Sequence, residues 1–342
     1  MSLLNSQVDD GFDYFEYEDD EGEWISVRTD EELQTMLFSF DPSDVIPIKL
    51  RSSKTPKNSI GPTLHDLKPG EIHRMETLGS GQFGTVYRVI DEMDREYAVK
   101  AICETGDERT DWGLLNEIEI LKRCESPYIV TFHGVSREEG EWLIRLELMD
   151  GLSLDLYGQI PATVMAPVTV SVIAGLDYLW NMKVMHRDVK PSNFLVNSKG
   201  EVKLSDFGVS RQMILSAVYS VVGTNKYLAP ERIACERYRE CSDVWSLGIS
   251  LAEMASGHFP FDQATWTQVI RNEIRPNLGL EAISEGLNDL VAKCLIYDPN
   301  ERIQAFDLVK HPYFVDNSPP NRGIVANFVK DNVNSVHQRL HS

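Results

Sequence analysis

Apolar and polar residues alternate over residues 12–28, first in FDYFEY and again in EWISVR, with DDEG between them. Period-two alternation turns one face of each segment toward a core, so the pattern predicts two strands joined by a tight turn. Asp30 stands where an N-cap belongs for DEELQTMLFSF, which predicts a short helix, and VIPIKL at residues 45–50 predicts a third strand. Residues 51–70, RSSKTPKNSIGPTLHDLKPG, are polar, basic and interrupted by Pro and Gly, the composition of a linker. A strand pattern resumes at His73, and helical periodicity dominates after Met149. The most apolar run, ATVMAPVTVSVIAGLDYLW at residues 162–180, is broken by Pro167 and Asp177. It reads as a buried helix opening near Pro167, not as a membrane span. Residues 319–342 read as a capped helix or a loose tail, and no segment repeats internally.

Charge changes the picture of the first fifty residues. They hold 14 acids and 2 bases, a net of −12, out of −20 for the 342-residue chain. Neither nucleic acid nor an anionic membrane surface is expected as a partner, because both need a basic face. The acidic segment suits a basic protein partner, with a solubilising tail as the alternative. Lys49, Arg51, Lys54 and Lys57 form a basic stretch in and beside the linker. It suits an acidic groove on another protein, or it is simply a solvated linker. Five cysteines without CxxC spacing and the absence of an Asn-x-Ser/Thr sequon fit a reducing compartment. The first twenty residues have no basic and apolar leader pattern. The expected location is the cytoplasm, with the nucleus as a second compartment.

Four stretches carry chemistry. LGSGQFGTV sets Gly79, Gly81 and Gly84 at GxGxxG spacing, preceded by Leu78 and followed by Val86. Dinucleotide-binding turns have the same spacing but run into a helix. Here the continuation is β-branched and aromatic, so a glycine hairpin is expected, either plain or laid over phosphates. Lys100 closes the apolar strand EYAVK, and a lysine there needs a partner. Glu117, on the helical turn with Leu114, Ile118 and Leu121, is the candidate, and Glu119 is placed on the solvent side. In HRDVKPSN, Asp188 can accept a hydroxyl proton, Lys190 can neutralise a moving phosphoryl group, and Asn193 can hold a metal ion, as can Asp206 of DFG. Finally, Ser216 and Ser220 lie four apart in DFGVSRQMILSAVYSVVGTNKYLAPE, with no acid between Asp206 and Glu231. Two hydroxyls there either solvate a loop or await phosphate, whose charge of about −1.5 to −2 would order it. Arg187, next to Asp188, is the natural receiver of that charge, and Arg211 a weaker one.

These motifs, with the hinge-like LELMDGLSLD, VGTNKYLAPER and SDVWSLGISLAEM, resemble a protein kinase, and more closely a mitogen-activated protein kinase kinase. The resemblance implies an α+β, bilobal protein kinase fold with a small β-rich lobe and a large helical lobe, over residues 71–315. It implies ATP and Mg2+ as cofactors, and a downstream mitogen-activated protein kinase whose threonine and tyrosine are the acceptors. Carried over by position, Leu146 is the gatekeeper and Glu147 to Met149 offer backbone groups to adenine. Leu78, Val86, Ala98 and Ser153 line the nucleotide. Asp243 braces the catalytic loop, and Glu231 pairs with Arg302. The segment FEYEDDEGEWISVRTDEEL resembles the acidic motif of a Phox-and-Bem interaction domain, a ubiquitin-like β-grasp, at Glu18, Asp19, Asp20, Glu23, Asp30 and Glu31. Among these kinase kinases such a head marks the fifth branch and implies an upstream kinase kinase kinase as partner. The expected organisation is a partial domain over 10–52, a linker over 53–70, the kinase domain over 71–315 and a tail over 316–342. The competing function is a scaffold or pseudokinase-like adaptor acting through the acidic head.

Overall fold

The computed structural model describes residues 14–18, 24–27, 48–51, 72–81, 84–104, 108–138, 140–206, 224–234, 239–274, 278, 280 and 283–340. The chain divides into two compact units, Met1–Thr63 and Leu64–Ser342.

In the first unit β1 (Tyr14–Glu18), β2 (Trp24–Val27) and β3 (Ile48–Arg51) form an antiparallel sheet in the order β2-β1-β3. The register sets Phe15 opposite Val27 and Leu50, and Tyr17 opposite Ile25 and Ile48. Glu16 falls in the alternate row, opposite Ser26 and Lys49. The alternation seen in the sequence is thus the pleat of this sheet. The helix expected after Asp30 lies outside the described residues.

The second unit opens with β4 (Ile72–Gly81), β5 (Gly84–Asp91) and β6 (Glu96–Cys103). After α1 (Glu108–Arg123), β7 (Phe132–Glu138) and β8 (Glu141–Glu147) complete an antiparallel sheet in the order β4-β5-β6-β8-β7. Val89, Val99, Ala101 and Leu143 make one small core. Leu114 and Ile118 of α1 pack with Val135 and Ile144 in a second. Glu119 is exposed and pairs with Lys122 at 3.1 Å, on the solvent side as expected.

The larger lobe is helical, around α2 (Ala162–Asn181) and α4 (Glu240–Ser256), with a two-stranded hairpin of β9 (Phe194–Val196) and β10 (Val202–Leu204). Between them lies the short α3 (Pro230–Ile233); α5 (Gln263–Ile270), α6 (Glu285–Cys294), α7 (Pro312–Asp316) and α8 (Arg322–Leu340) follow. Val168, Ile173, Leu176, Leu247, Ile249 and Leu251 are fully buried in one core. Helix α2 is long and apolar enough to cross a membrane, but its sides are mostly buried in protein. It does not open near Pro167. It begins at Ala162 with Pro161 at the N-cap, and Pro167 lies inside it. The missing N–H costs one helical hydrogen bond, and burial of Val164, Met165, Pro167 and Val168 offsets that loss.

Residues 319–342 supply a docked helix rather than a loose tail. Val325, Val329 and Val336 of α8 are buried in the large-lobe core. The Tyr157 and Phe328 rings pack tilted with centroids 5.2 Å apart, and Arg339 donates to the Leu156 carbonyl at 2.7 Å. The close seat explains Gly200. Its φ is +78°, and a Cβ there would come within 1.9 Å of the Arg322 carbonyl oxygen. Gly200→Ala therefore combines left-handed strain with a backbone collision. It should destabilise by more than about 1 kcal/mol, read as a lowered urea midpoint with an unchanged slope.

Candidate active site

The glycine motif is a hairpin, not a helix start. Gly81 pairs with Gly84 across the β4–β5 turn. Gly84 has φ +114°, and a Cβ there would meet the Ala101 carbonyl oxygen at 2.1 Å, so only glycine lets β5 lie this close to β6. Next to it Val86 pairs with Lys100, and Ala98 pairs with Leu146. Leu78 packs against the large-lobe core, spanning the lobes on this side.

Lys100 sits between Val86 and Ile144 in the sheet, and its side chain is 8% exposed. Its ammonium donates to Asp206 Oδ1 at 2.5 Å. The side chain of the expected partner Glu117 lies outside the described residues. Burial works against the Asp206 charge, but the Lys100 ammonium more than compensates and holds its carboxyl below the ordinary carboxylate value. Asp206 and Arg187 are both left-handed, with φ +54° and +68°. Non-glycine residues are seldom held so, and such strain collects where side-chain direction matters.

The catalytic-loop residues converge as the spacing promised. Asp188 Oδ2 accepts from Lys190 Nζ at 2.7 Å and from Asn193 Nδ2 at 3.0 Å. The same Asn193 amide nitrogen donates to the Asp188 carbonyl at 2.7 Å, so its oxygen is the atom that could hold a metal ion. Ser205 N donates to the Asn193 carbonyl at 3.0 Å, tying the approach to Asp206 to this turn. Below it, Asp243 is fully buried and accepts from His186 N, Arg187 N and Trp180 Nε1 at 2.9, 2.9 and 3.1 Å. It braces the loop as expected. Burial lowers the pKa of His186, which keeps the imidazole neutral. The Glu231–Arg302 pair is also present, bidentate at 2.8 and 3.0 Å.

The hinge holds a pair that sequence reading missed. The Glu147 backbone, expected to face adenine, already donates its N–H to the Thr131 carbonyl at 2.9 Å. Its carboxylate turns inward to Lys203 Nζ at 2.6 Å and to Thr131 N and Oγ1 at 2.7 and 3.1 Å. Lys203 is 7% exposed on β10, three residues before Asp206. The only signal was a lysine between apolar Val202 and Leu204. Met149 is buried, and Gly151 and Ser153 are fixed by Gly151 N to the Val196 carbonyl at 3.1 Å and by a bridge from Ser153 to Leu195. Ser216, Ser220 and Arg211 lie outside the described residues.

Residues 72–314 match the protein kinase domain. The chain is 35% identical to the dual specificity mitogen-activated protein kinase kinase dSOR1 of Drosophila melanogaster, over 82% of this chain and 79% of that relative. The glycine hairpin, the Lys100–Asp206 pair and the braced Asp188 loop all fall within the matched residues. This chain belongs to the protein kinase family and, within it, to the dual-specificity mitogen-activated protein kinase kinases.

Proposed function

We propose that this chain uses ATP with magnesium to phosphorylate a threonine and a tyrosine in the activation loop of a mitogen-activated protein kinase, and that phosphate on Ser216 and Ser220 switches it on. The observation that carries the reading is the convergence of Asp188, Lys190 and Asn193 on one turn that Ser205 ties to the Lys100–Asp206 pair. In this reading Asp188 takes the proton of the acceptor hydroxyl, and Lys190, already on its carboxylate, follows the phosphoryl charge. Lys100 steadies the α- and β-phosphates, and the glycine hairpin covers them. The Asp206 carboxylate and the Asn193 amide oxygen are hard donors of the kind magnesium takes, and few in number, as suits an ion shared with phosphates. When bound, magnesium would supply charge neutralisation on the phosphates.

The switch rests on charge. Moving a two-state loop from 1:99 to 99:1 takes about 5.5 kcal/mol. One charge-assisted hydrogen bond yields about 1.5–3 kcal/mol, so both phosphates are needed, with Arg187 as receiver. The acidic head, net −12 in its first fifty residues, is assigned to an upstream kinase kinase kinase. The test is a panel of purified mitogen-activated protein kinases, with sites read by mass spectrometry. One member should gain phosphate on both threonine and tyrosine. Ser216→Ala with Ser220→Ala should hold the rate about 10²-fold or more below that of the doubly phosphorylated protein, the span of such a switch. A panel with no doubly modified member, or a fully active double variant, refutes the reading.

A further inference from the structure

The segment between the activation loop and Ala229 ends in a 3-10 turn, Thr224–Tyr227, and this turn is bolted to one face of α4. Ser246 Oγ donates to the Tyr227 carbonyl at 2.8 Å, and Ser250 Oγ, whose nearer acceptor is the Ser246 carbonyl at 2.7 Å, lies 3.3 Å from the carbonyl of Val189, between Asp188 and Lys190. Glu253, one turn further along that face, receives two side chains from the turn on its two oxygens. Lys226 Nζ meets Oε1 at 3.0 Å, and the Tyr227 hydroxyl donates to Oε2 at 2.5 Å. The same helix face therefore carries the catalytic loop and, beside it, a carboxylate whose two oxygens are both taken.

The lysine is held from a second side. Its ammonium lies 5.0 Å from the ring centroids of both Tyr227 and Phe259, within cation–π range. Phe259 is itself wedged edge-on against Tyr227, Phe261 and Trp266. Yet the pair is not sunk in the core, since the Lys226 side chain is 37% exposed and that of Glu253 19%. Burial, Glu253 and the charges of Asp155 and Asp188 together raise the Tyr227 phenol well above its ordinary value. Burial is the largest of these causes, and Lys226 is the cation paired with Glu253 beside the phenol.

Such a carboxylate, left with a tyrosine alone, would attract a basic side chain flanking the acceptor. We propose that Lys226 is a specificity-determining residue that occupies Glu253 and so denies it to basic side chains of a substrate. A substrate arginine would have to displace a lysine held by an ion pair and two rings, and would meet a like charge on the way. The inference rests on the reading that Asp188 marks the acceptor position.

The test uses the full chain as wild type, Lys226→Met, and Lys226→Met with Glu253→Gln. The probes are fluorescein-labelled acceptor-threonine peptides in which one arginine replaces alanine at successive positions around the threonine. Binding is read by anisotropy, which needs no turnover. Wild type should favour arginine at no position. Lys226→Met should bind arginine peptides about tenfold tighter at one or two positions, equal to about 1.4 kcal/mol, and Glu253→Gln should erase that gain. Lys226→Arg should keep the wild-type profile, and Lys226→Gln gives the same comparison should the methionine variant unfold. Equal shifts for arginine and alanine peptides, or a gain that survives Glu253→Gln, overturn the proposal. Those results with wild-type phosphotransfer intact count against Lys226 alone. A wild type that phosphorylates no mitogen-activated protein kinase counts against the underlying reading instead.

Discussion

Asp188→Asn is expected to lower kcat by about 10²–10⁴-fold, the contribution of a positioned general base, while KM for ATP stays within about threefold of wild type. The geometry makes this substitution clean. The Asp188 carboxylate is held by Lys190 at 2.7 Å and Asn193 at 3.0 Å. Asparagine has the same shape, and its amide oxygen can keep accepting from one of these donors. The backbone contact from Asn193 to the Asp188 carbonyl does not involve the side chain, and the loop remains pinned by the three donors on Asp243. The Lys100–Asp206 pair and the glycine hairpin are untouched, so nucleotide should still bind. What goes is the ability to take a proton. Steady-state kinetics at saturating ATP, beside matched thermal melts, decide the matter. A kcat within about threefold of wild type would remove Asp188 from the base role and leave it a positioning group.

The part of this site that lay open in the sequence is the part encoded over a few neighbouring residues. In HRDVKPSN the spacing itself brings Asp188, Lys190 and Asn193 onto one turn, so residue types and order sufficed. The strands of both units were legible because a pleat alternates its faces at the period of the chain. The resemblance supplied what local pattern cannot, namely the reach of Asp243 to Arg187 N across 56 positions and of Arg302 to Glu231 across 71. The Glu147–Lys203 pair escaped because it also spans 56 positions, Lys203 sits in no motif, and the hinge motif points only to the backbone of Glu147. Pro167 misled because proline usually opens a helix; here the packing of the residues on either side outweighs one lost bond. The tail was ambiguous because α8 has only a narrow apolar stripe, and the core supplies the rest of its stability. Nothing in the local sequence singles out Lys226, because Glu253 and Phe259 reach it only through the fold.

Arg302→Met should be the most damaging single change to stability, about 3–5 kcal/mol, because it strands a buried carboxylate. The Arg302 side chain is 0% exposed and that of Glu231 4%. All five guanidinium donors are used: Nε on the Ile296 carbonyl, Nη1 on Glu231 and the Cys241 carbonyl, Nη2 on Glu231 and the Tyr297 carbonyl. Methionine fills much of the volume beside Trp245, which the guanidinium faces at 5.1 Å, so lost packing contributes little to the effect. Burial alone would raise the Glu231 pKa, and it is the hydrogen bonds and charge of Arg302 that reverse this and hold it below 4.5. In wild type the pair's stabilisation is therefore complete above pH 4.5 and fades as pH falls through the depressed native value. Without Arg302 the sign inverts. Burial then pushes Glu231 upward, and the variant is relieved as acid protonates it. The gap between wild type and Arg302→Met in urea denaturation should accordingly be widest near neutral pH and narrow toward pH 5 and below. Adding Glu231→Gln to the variant should recover part of the loss at neutral pH, because the stranded charge is gone. A gap that is flat across pH would mean that shape, not charge, is what Arg302 contributes where α3 meets the rest of the large lobe.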